Sequence, residues 1–265
     1  MRASRPHRRL LVLVLASVAW LTGNRTAAAN DVVAAVAANF TPAMQRLARD
    51  FERRSGHHLI PSLGATGALY AQIRNGAPFD IFLAADRESP RRLEQDGLSV
   101  AGTRFTYAVG RLAFWSAQPG IVDANGDVLR QGVPGRIAIA NPKTAPYGAA
   151  AVQTLRRLGL WERLAPRLVQ GENITQTFQF VRTGNAAFGF VALAQIRALP
   201  AQTGSYWLVP AELHEPLAQD AVLLKRGINN IGARAFLEYL RSAPAKSVIE
   251  ELGYATVADR RDERR

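Results

Sequence analysis

Apolar and polar positions alternate along the first third of the chain in blocks that predict strands and helices in turn. The segment "DVVAAVAA" (31–38) is an almost continuous apolar run, typical of a strand buried on both faces of a parallel sheet. A helix is predicted from Pro42 to about Arg54, with Gly56 closing it. The strand "HLIPSL", the helix "GALYAQIRNG", the strand "FDIFLAA" and the helix "SPRRLEQDG" follow.

The alternation resumes after one long predicted strand that runs from Phe105 to Ser116. Further strands are predicted at "RIAIANP", "AAFGFVAL", "SYWLVP" and "AQDAVLLKRG". Further helices are predicted at "GAAAVQTLRRLGLW", "ITQTFQFVRTGN", "GARAFLEYLRSA" and "AKSVIEELGY". This order predicts an α/β fold with two lobes, each a sheet flanked by helices, joined by extended strands and separated by a ligand cleft.

The first 29 residues have the layout of a secretory signal peptide. Four arginines precede the apolar run Leu10–Leu21, and the small residues Ala27–Ala29 follow it. The apolar run is short for a membrane span, so cleavage is favoured over an uncleaved anchor. Cleavage after Ala29 removes five arginines and lowers the formal charge from +12 to about +7. We therefore expect an exported, periplasmic protein.

Composition excludes several kinds of chemistry. The chain has 265 residues, of which 48% are hydrophobic, and it contains no cysteine, so disulfides, thiol nucleophiles and thiolate metal sites are excluded. Neither a G-x-S-x-G elbow, an H-E-x-x-H helix nor a P-loop occurs, so no catalytic residues and no cofactor are predicted. No basic block is interleaved with aromatics, which argues against nucleic-acid binding.

Four junctions place small or polar residues immediately before a predicted helix. They are Ala38–Pro42, Gly64–Gly67, Pro146–Gly148 and Glu172–Ile174, with Thr41 and Thr66 as the expected helix caps. A helix start exposes unpaired N–H groups and a partial positive charge, and so suits an anion without any lysine or arginine. Each junction alone is more often a simple cap, and Glu172 is expected to cap its own helix.

Long stretches resemble the periplasmic molybdate-binding proteins of ABC importers. They are "VAAVAANFTPAMQRLARDFERRSG", "SLGATGALYAQIRNGAPFDIFLAAD", "GRIAIANPKTAPYGAAAVQTLRRLGLW", "FGFVALAQI" and "AFLEYLRSAPAKSVIEELGY". The resemblance runs in order from about Asp31 to Tyr254. It implies a two-lobed periplasmic-binding fold of type II that closes by hinge motion on molybdate or tungstate.

The resemblance also implies the ligand-binding residues. They are the donor Asn39, the hydroxyl of Thr66, and the main-chain N–H groups of Tyr147 and Ile174, with Ala38 as a secondary candidate. No metal is expected beyond the molybdenum of the oxyanion. Some relatives add a tyrosine from the strand motif that is "GFVALAQ" here, where this chain has Ala192. The Tyr147 side chain is a possible compensating contact.

The expected organisation is a signal peptide (1–29), a discontinuous first lobe (30–112 and 214–258), a second lobe (113–213) and a charged tail (259–265). The expected function is periplasmic binding of molybdate or tungstate by a monomer and delivery to an inner-membrane importer permease. Two alternatives stay open: a binding protein for another oxyanion such as sulfate, and a secreted two-lobed α/β enzyme. A regulator's effector lobe is disfavoured by the leader.

Overall fold

The computed structural model describes residues 30–256, apart from 133 and 202. The predicted signal peptide and the charged tail lie outside the described residues. Within this part of the chain, no helix is long and apolar enough to cross a membrane.

Strands in the described residues form two five-stranded sheets. The strands are β1 Asp31–Ala37, β2 His58–Gly64, β3 Ile81–Leu83, β4 Phe105–Gly110, β5 Leu112–Ser116, β6 Ile137–Ala140, β7 Leu168–Gly171, β8 Phe188–Ala192, β9 Ser205–Leu208 and β10 Leu217–Leu223. The helices are α1 Thr41–Ser55, α2 Thr66–Arg74, α3 Glu88–Gln95, α4 Val128–Gln131, α5 Pro146–Arg157, α6 Trp161–Leu164, α7 Ile174–Arg182, α8 Leu193–Arg197, α9 Ile231–Arg241 and α10 Ala243–Glu251.

The first sheet has the order β2-β1-β3-β10-β4 and the second has the order β7-β6-β8-β5-β9. In the first sheet β2, β1 and β3 are parallel, whereas β10 and β4 are antiparallel to the strands beside them. In the second sheet β7, β6 and β8 are parallel, whereas β5 and β9 are antiparallel to the strands beside them. The predicted α/β fold with two lobes is therefore confirmed. The first lobe is defined here by the first sheet, and the second lobe by the second sheet.

One strand prediction is wrong. The segment from Phe105 to Ser116 is two strands, which separate at Arg111 and pair in different sheets. The break is marked only by the single exposed residue Arg111, and one arginine between two apolar stretches does not by itself end a strand. The short edge strand β7 was not predicted. Only one of its four residues is buried, and so few residues show no alternation of apolar and polar positions.

Successive residues of β1 face opposite sides of the first sheet, as a strand period of two requires. Val32, Ala34 and Val36 pack with α1, α9 and α10, whereas Ala35 packs with α2 and α3. The apolar run in β1 thus reflects helices on both faces of the sheet.

The two lobes are packed together across the cleft. Four small residues of the first lobe, Ala37, Ala38, Ala65 and Ala85, belong to the same buried apolar cluster as the second-lobe core. That core includes Phe114, Ile139, Phe188 and Phe190. The structure is therefore a closed form in which the lobes touch and only a small, partly open cavity of the ligand cleft remains.

Candidate functional site

A small cavity lies where the helix starts of the two lobes meet. It encloses about 200 Å³ including its mouth. It is lined by Ala37, Ala38, Asn39, Gly64, Ala65, Thr66, Ala85, Ala145, Pro146, Tyr147, Asn173 and Ile174. All four junctions singled out in the sequence, and all five candidate binding residues, reach this one cavity.

The first junction is a single turn of 3-10 helix, Ala38–Phe40, that runs directly into α1. The Thr41 hydroxyl donates to the carbonyl of Ala38 at 2.8 Å instead of capping the helix. The main-chain N–H groups of Ala38 and Asn39 open this turn, and the first N–H groups of a helix have no partner within it. Asn39 is buried, with 1% of its surface exposed.

The side chain of Asn39 is engaged away from the cavity. Its Nδ2 donates to Oε1 of Gln219 at 3.0 Å and to Oη of Tyr254 at 3.2 Å. Oη of Tyr254 in turn donates to the carbonyl of Asn39 at 2.8 Å. A carboxamide has two N–H hydrogens, and both are directed to these partners. The main-chain N–H is therefore the donor that Asn39 has left for a ligand.

Thr66 occupies the first turn of α2 rather than its N-cap, which is Ala65. The predicted capping role of Thr66 is therefore wrong, because its hydroxyl has another partner. Oγ1 of Thr66 accepts the N–H of Ala85 at 3.0 Å. A hydroxyl that accepts one bond still has its own hydrogen to donate. The hydrogen bond from Ala85 thus holds the Thr66 hydroxyl in place, and its hydrogen is available to a ligand.

Tyr147 presents its main-chain N–H at the start of α5. The hydrogen bonds that close this helix begin with Gly148 and Ala149, whose N–H groups donate to the carbonyl of Ala145. Pro146 has no N–H. The phenol of Tyr147 points away into the first lobe, where Nε2 of Gln219 donates to its Oη at 3.4 Å. Burial raises the pKa of Tyr147 above its ordinary value, so the phenol stays neutral.

The start of α7 is capped by Asn173. Its Oδ1 accepts the N–H groups of Thr175 and Gln176 at 2.9 and 3.1 Å. The expectation that Glu172 caps this helix is wrong, since Glu172 is exposed and Asn173 fills that position. Capping satisfies the second and third N–H groups of the helix. The first N–H belongs to Ile174, which lines the cavity and has no acceptor within the helix.

Sequence reasoning missed two glutamines that hold these helix starts. Nε2 of Gln195 donates to the carbonyl of Ile174 at 3.2 Å. Gln219 accepts from both Asn39 and the phenol of Tyr107 at 3.0 Å and donates to Tyr147. Gln219 lies on a strand without a recognisable motif. Gln195 is the last residue of the motif "GFVALAQ", in which the family resemblance points to Ala192 instead. Ala192 is buried at the end of β8 and is not among the residues that line the cavity.

Besides the bond from Gln219 to Tyr147, two hydrogen bonds join the lobes beside the cavity. The N–H of Gly67 donates to the carbonyl of Thr144 at 2.8 Å. The hydroxyl of Thr175 donates to the carbonyl of Ala38 at 3.1 Å. Each pairs a helix start of one lobe with the opposite lobe, so the same segments that line the cavity also close it.

The chemistry of the cavity is that of a neutral donor set. None of its lining residues is charged, and the start of each of four helices contributes partial positive charge. Within residues 30–256, apart from the two undescribed positions, no group of three or more His, Asp or Glu side chains could hold a metal ion. The arrangement suits a small anion that only accepts hydrogen bonds.

A two-lobed fold with an anion cavity between the lobes defines a solute-binding protein. Residues 32–255 match the family of bacterial extracellular solute-binding proteins, and the chain belongs to that family. The expectation of a binding protein rather than an enzyme is confirmed by this membership and by the relatives below.

Two curated relatives are similar over most of the chain. The molybdate-binding protein ModA of Azotobacter vinelandii is 53% identical over 229 residues, which are 86% of this chain and 91% of the relative. The molybdate-binding protein ModA of Rhodobacter capsulatus is 45% identical over 230 residues, covering 87% and 90%. The solved periplasmic molybdate-binding protein of Azotobacter vinelandii superposes with a TM-score of 0.83 at 39% identity and covers 86% of this chain and 100% of that one.

Proposed function

We propose that this protein binds molybdate, or its analogue tungstate, in the inter-lobe cavity and delivers it from the periplasm to an ABC-type importer. The observation that carries the proposal is the donor set of the cavity. It consists of the N–H groups of Asn39, Tyr147 and Ile174 and the hydroxyl of Thr66, with Ala38 beside them. Relatives named as molybdate-binding proteins at 53% and 45% identity support the choice of anion.

The same donor set argues against monohydrogen phosphate. That anion carries a proton and requires an acceptor, commonly a carboxylate. The cavity lining contains no carboxylate, and the carboxamide oxygen of Asn173 is occupied by its own helix. Sulfate, like molybdate, only accepts hydrogen bonds, so the two are distinguished by size.

The proposed cellular setting follows from the leader and the family. A signal peptide over 1–29 directs the chain to the periplasm, where the protein acts as a monomer and meets an inner-membrane permease. The bound oxyanion is cargo, and no resident cofactor takes part. The proposed lobes are 30–112 with 214–258, and 113–213. Strands β1–β4 and β10 support the first and β6–β9 the second, while β5 begins at Leu112, one residue before the proposed boundary.

Thermal unfolding with molybdate, tungstate, sulfate and phosphate tests the proposal. A ligand at 100 times its dissociation constant stabilises the folded state by about 2.7 kcal/mol. We expect large shifts with molybdate and tungstate, a much smaller shift with sulfate at the same concentration, and none with phosphate. An equal shift with sulfate would refute the molybdate assignment and support a general oxyanion-binding protein.

A further inference from the structure

The start of α5 lies between two glycines of the opposite lobe. Gly110 ends β4 and Gly67 lies in the first turn of α2, both in the first lobe. We propose that Gly67 and Gly110 are positioning residues for ligand capture, because their missing side chains let the first lobe grip Thr144–Tyr147 and hold the Tyr147 N–H at the anion. We call this arrangement the glycine clasp. The inference rests on the proposed binding function.

Gly110 leaves space for the phenol of Tyr147. A Cβ atom at Gly110 would overlap Oη of Tyr147 and would lie 2.9 Å from its Cζ and 2.7 Å from Nε2 of Gln219. Tyr147 is only 1% exposed, so its ring has little room to move aside. The backbone of Gly110 is not in the left-handed region, so an alanine is not excluded by its own conformation. Glycine is required at this position by two contacts, one with Tyr147 of the opposite lobe and one with the side chain of Gln219 in the same lobe.

Gly67 makes the corresponding contact on the other side of the same segment. Its N–H donates to the carbonyl of Thr144 at 2.8 Å. A Cβ atom here would lie 3.1 Å from Cα and 3.2 Å from the carbonyl oxygen of Thr144. These distances are tight but not prohibitive, and the backbone is again outside the left-handed region. We therefore expect a methyl group at Gly67 to have a smaller effect than one at Gly110.

The two contacts together determine where the start of α5 stops when the lobes close. A methyl group on either glycine would hold the lobes apart by displacing Thr144 or Tyr147. The N–H of Tyr147 would then lie farther from the anion. In the Gly110 variant this would happen although Gly110 itself does not line the cavity. Closure and ligand contact are thus coupled through one segment.

The test measures sodium molybdate binding by titration calorimetry and compaction by small-angle X-ray scattering. We expect the wild-type protein to become more compact with molybdate. Gly110→Ala should bind molybdate at least tenfold more weakly and should not reach the wild-type compact radius. Its melting temperature without ligand should fall only slightly, because within its own lobe the methyl group displaces just the end of the Gln219 side chain. Gly67→Ala should show the same defects to a smaller degree.

A double-mutant cycle separates the clasp from a local packing defect. Tyr147→Ala removes the phenol that a methyl group at Gly110 would strike, and this variant is itself expected to bind more weakly. In that background Gly110→Ala should cause little further loss of affinity. Equal losses in both backgrounds would overturn the clasp, because they would show that the defect does not involve Tyr147.

Gly76→Ala serves as the control for a general loss of stability. Gly76 lies beyond the far end of α2, has a φ of 85°, and a Cβ there meets nothing within 4 Å. The substitution strains the backbone and should lower the melting temperature while molybdate affinity is unchanged. Wild-type affinity and compaction in Gly110→Ala would overturn the inference.

The proposed function can fail separately from the clasp. If the wild-type protein does not respond to molybdate but compacts with sulfate, the molybdate assignment fails. The clasp is then tested by the same variants with sulfate, and it survives only if Gly110→Ala loses sulfate affinity and compaction.

Discussion

Nδ2 of Asn39 donates a 3.0 Å hydrogen bond to Oε1 of Gln219, although the two residues are 180 positions apart in the chain. Together with Tyr254, Gln219 occupies both amide hydrogens of Asn39. Asn39 therefore supports the helix start from behind, and its main-chain N–H is left for a ligand. The side chain of Asn39 thus has a structural role and its main-chain N–H a ligand-binding role, two roles that the sequence alone does not separate.

Replacement of Asn39 by alanine should affect the protein before any ligand is added. The change removes two buried hydrogen bonds, to Gln219 and Tyr254, each typically worth about 0.5–1.5 kcal/mol of unfolding free energy. Molybdate affinity should fall as well, since the helix start loses its support. Urea unfolding without ligand and calorimetric titration measure the two effects. Weaker binding with unchanged stability would show instead that the side chain itself contacts the anion.

Thr66→Ala should weaken molybdate binding more than it weakens the fold. The substitution removes a hydroxyl donor to a charged ligand, typically worth about 1.5–3 kcal/mol, or roughly 10- to 150-fold in affinity. Thr66→Ser keeps the acceptor for the N–H of Ala85 and the donor for the ligand, and should restore most of the binding. Titration calorimetry of both variants decides the matter, and wild-type affinity in Thr66→Ala would contradict the assignment.

Asn173 offers a way to separate helix capping from anion binding. Asn173→Ala removes the cap of α7 and should cost about 0.5–2 kcal/mol of stability. Asn173→Asp keeps the capping oxygen and adds a negative charge, which favours a helix start but repels a bound anion. We therefore expect Asn173→Asp to melt at or above the wild-type temperature without ligand and to bind molybdate more weakly. Equal affinity in this variant would place the anion away from α7.

Molybdate affinity should be insensitive to pH around neutrality. Burial raises the pKa of Tyr147, and it raises those of Tyr107 and Tyr254 well above their ordinary value. The neutral phenols contribute stability that is present below the unfolded-state pKa and is lost only as pH rises through the higher folded-state values. Because no lining residue is charged, we expect constant affinity from about pH 6 to about pH 9. Calorimetry across this range tests it, and a steep decline with rising pH would show that a group beside the anion ionises.

The sequence predicted the fold well wherever a helix or strand packs within a single lobe along its whole length. The run in β1 and the helix starts near Thr41, Pro146 and Ile174 were located to within a few residues. The long strand from Phe105 to Ser116 was not resolved correctly, because the change of lobe is marked only by the single exposed residue Arg111. A change of partner strand depends on tertiary contacts, which a local pattern does not record.

The candidate site was predicted as a set of helix starts, but not the direction of each side chain. Asn39 and Tyr147 look like ligand residues in the sequence, yet both side chains are directed into a network around Gln219. Gln219 has no motif, and the motif that contains Gln195 does not show its partner. Their roles depend on Asn39, Tyr147 and Ile174, which are distant in the chain. Direct contact between the predicted residues and an anion stays a prediction until binding is measured.

The alanines around the cavity affect the entropy of closing. Ala37, Ala38, Ala65, Ala85 and Ala145 line it, and an alanine has no side-chain rotamers to lose when it is buried. Long side chains in the same places would each be immobilised at a cost of about 0.5–1.5 kcal/mol. A wall of alanines therefore lets the two lobes come together with almost no loss of side-chain freedom, and leaves backbone hinge motion and desolvation as the main costs that the bound anion must offset.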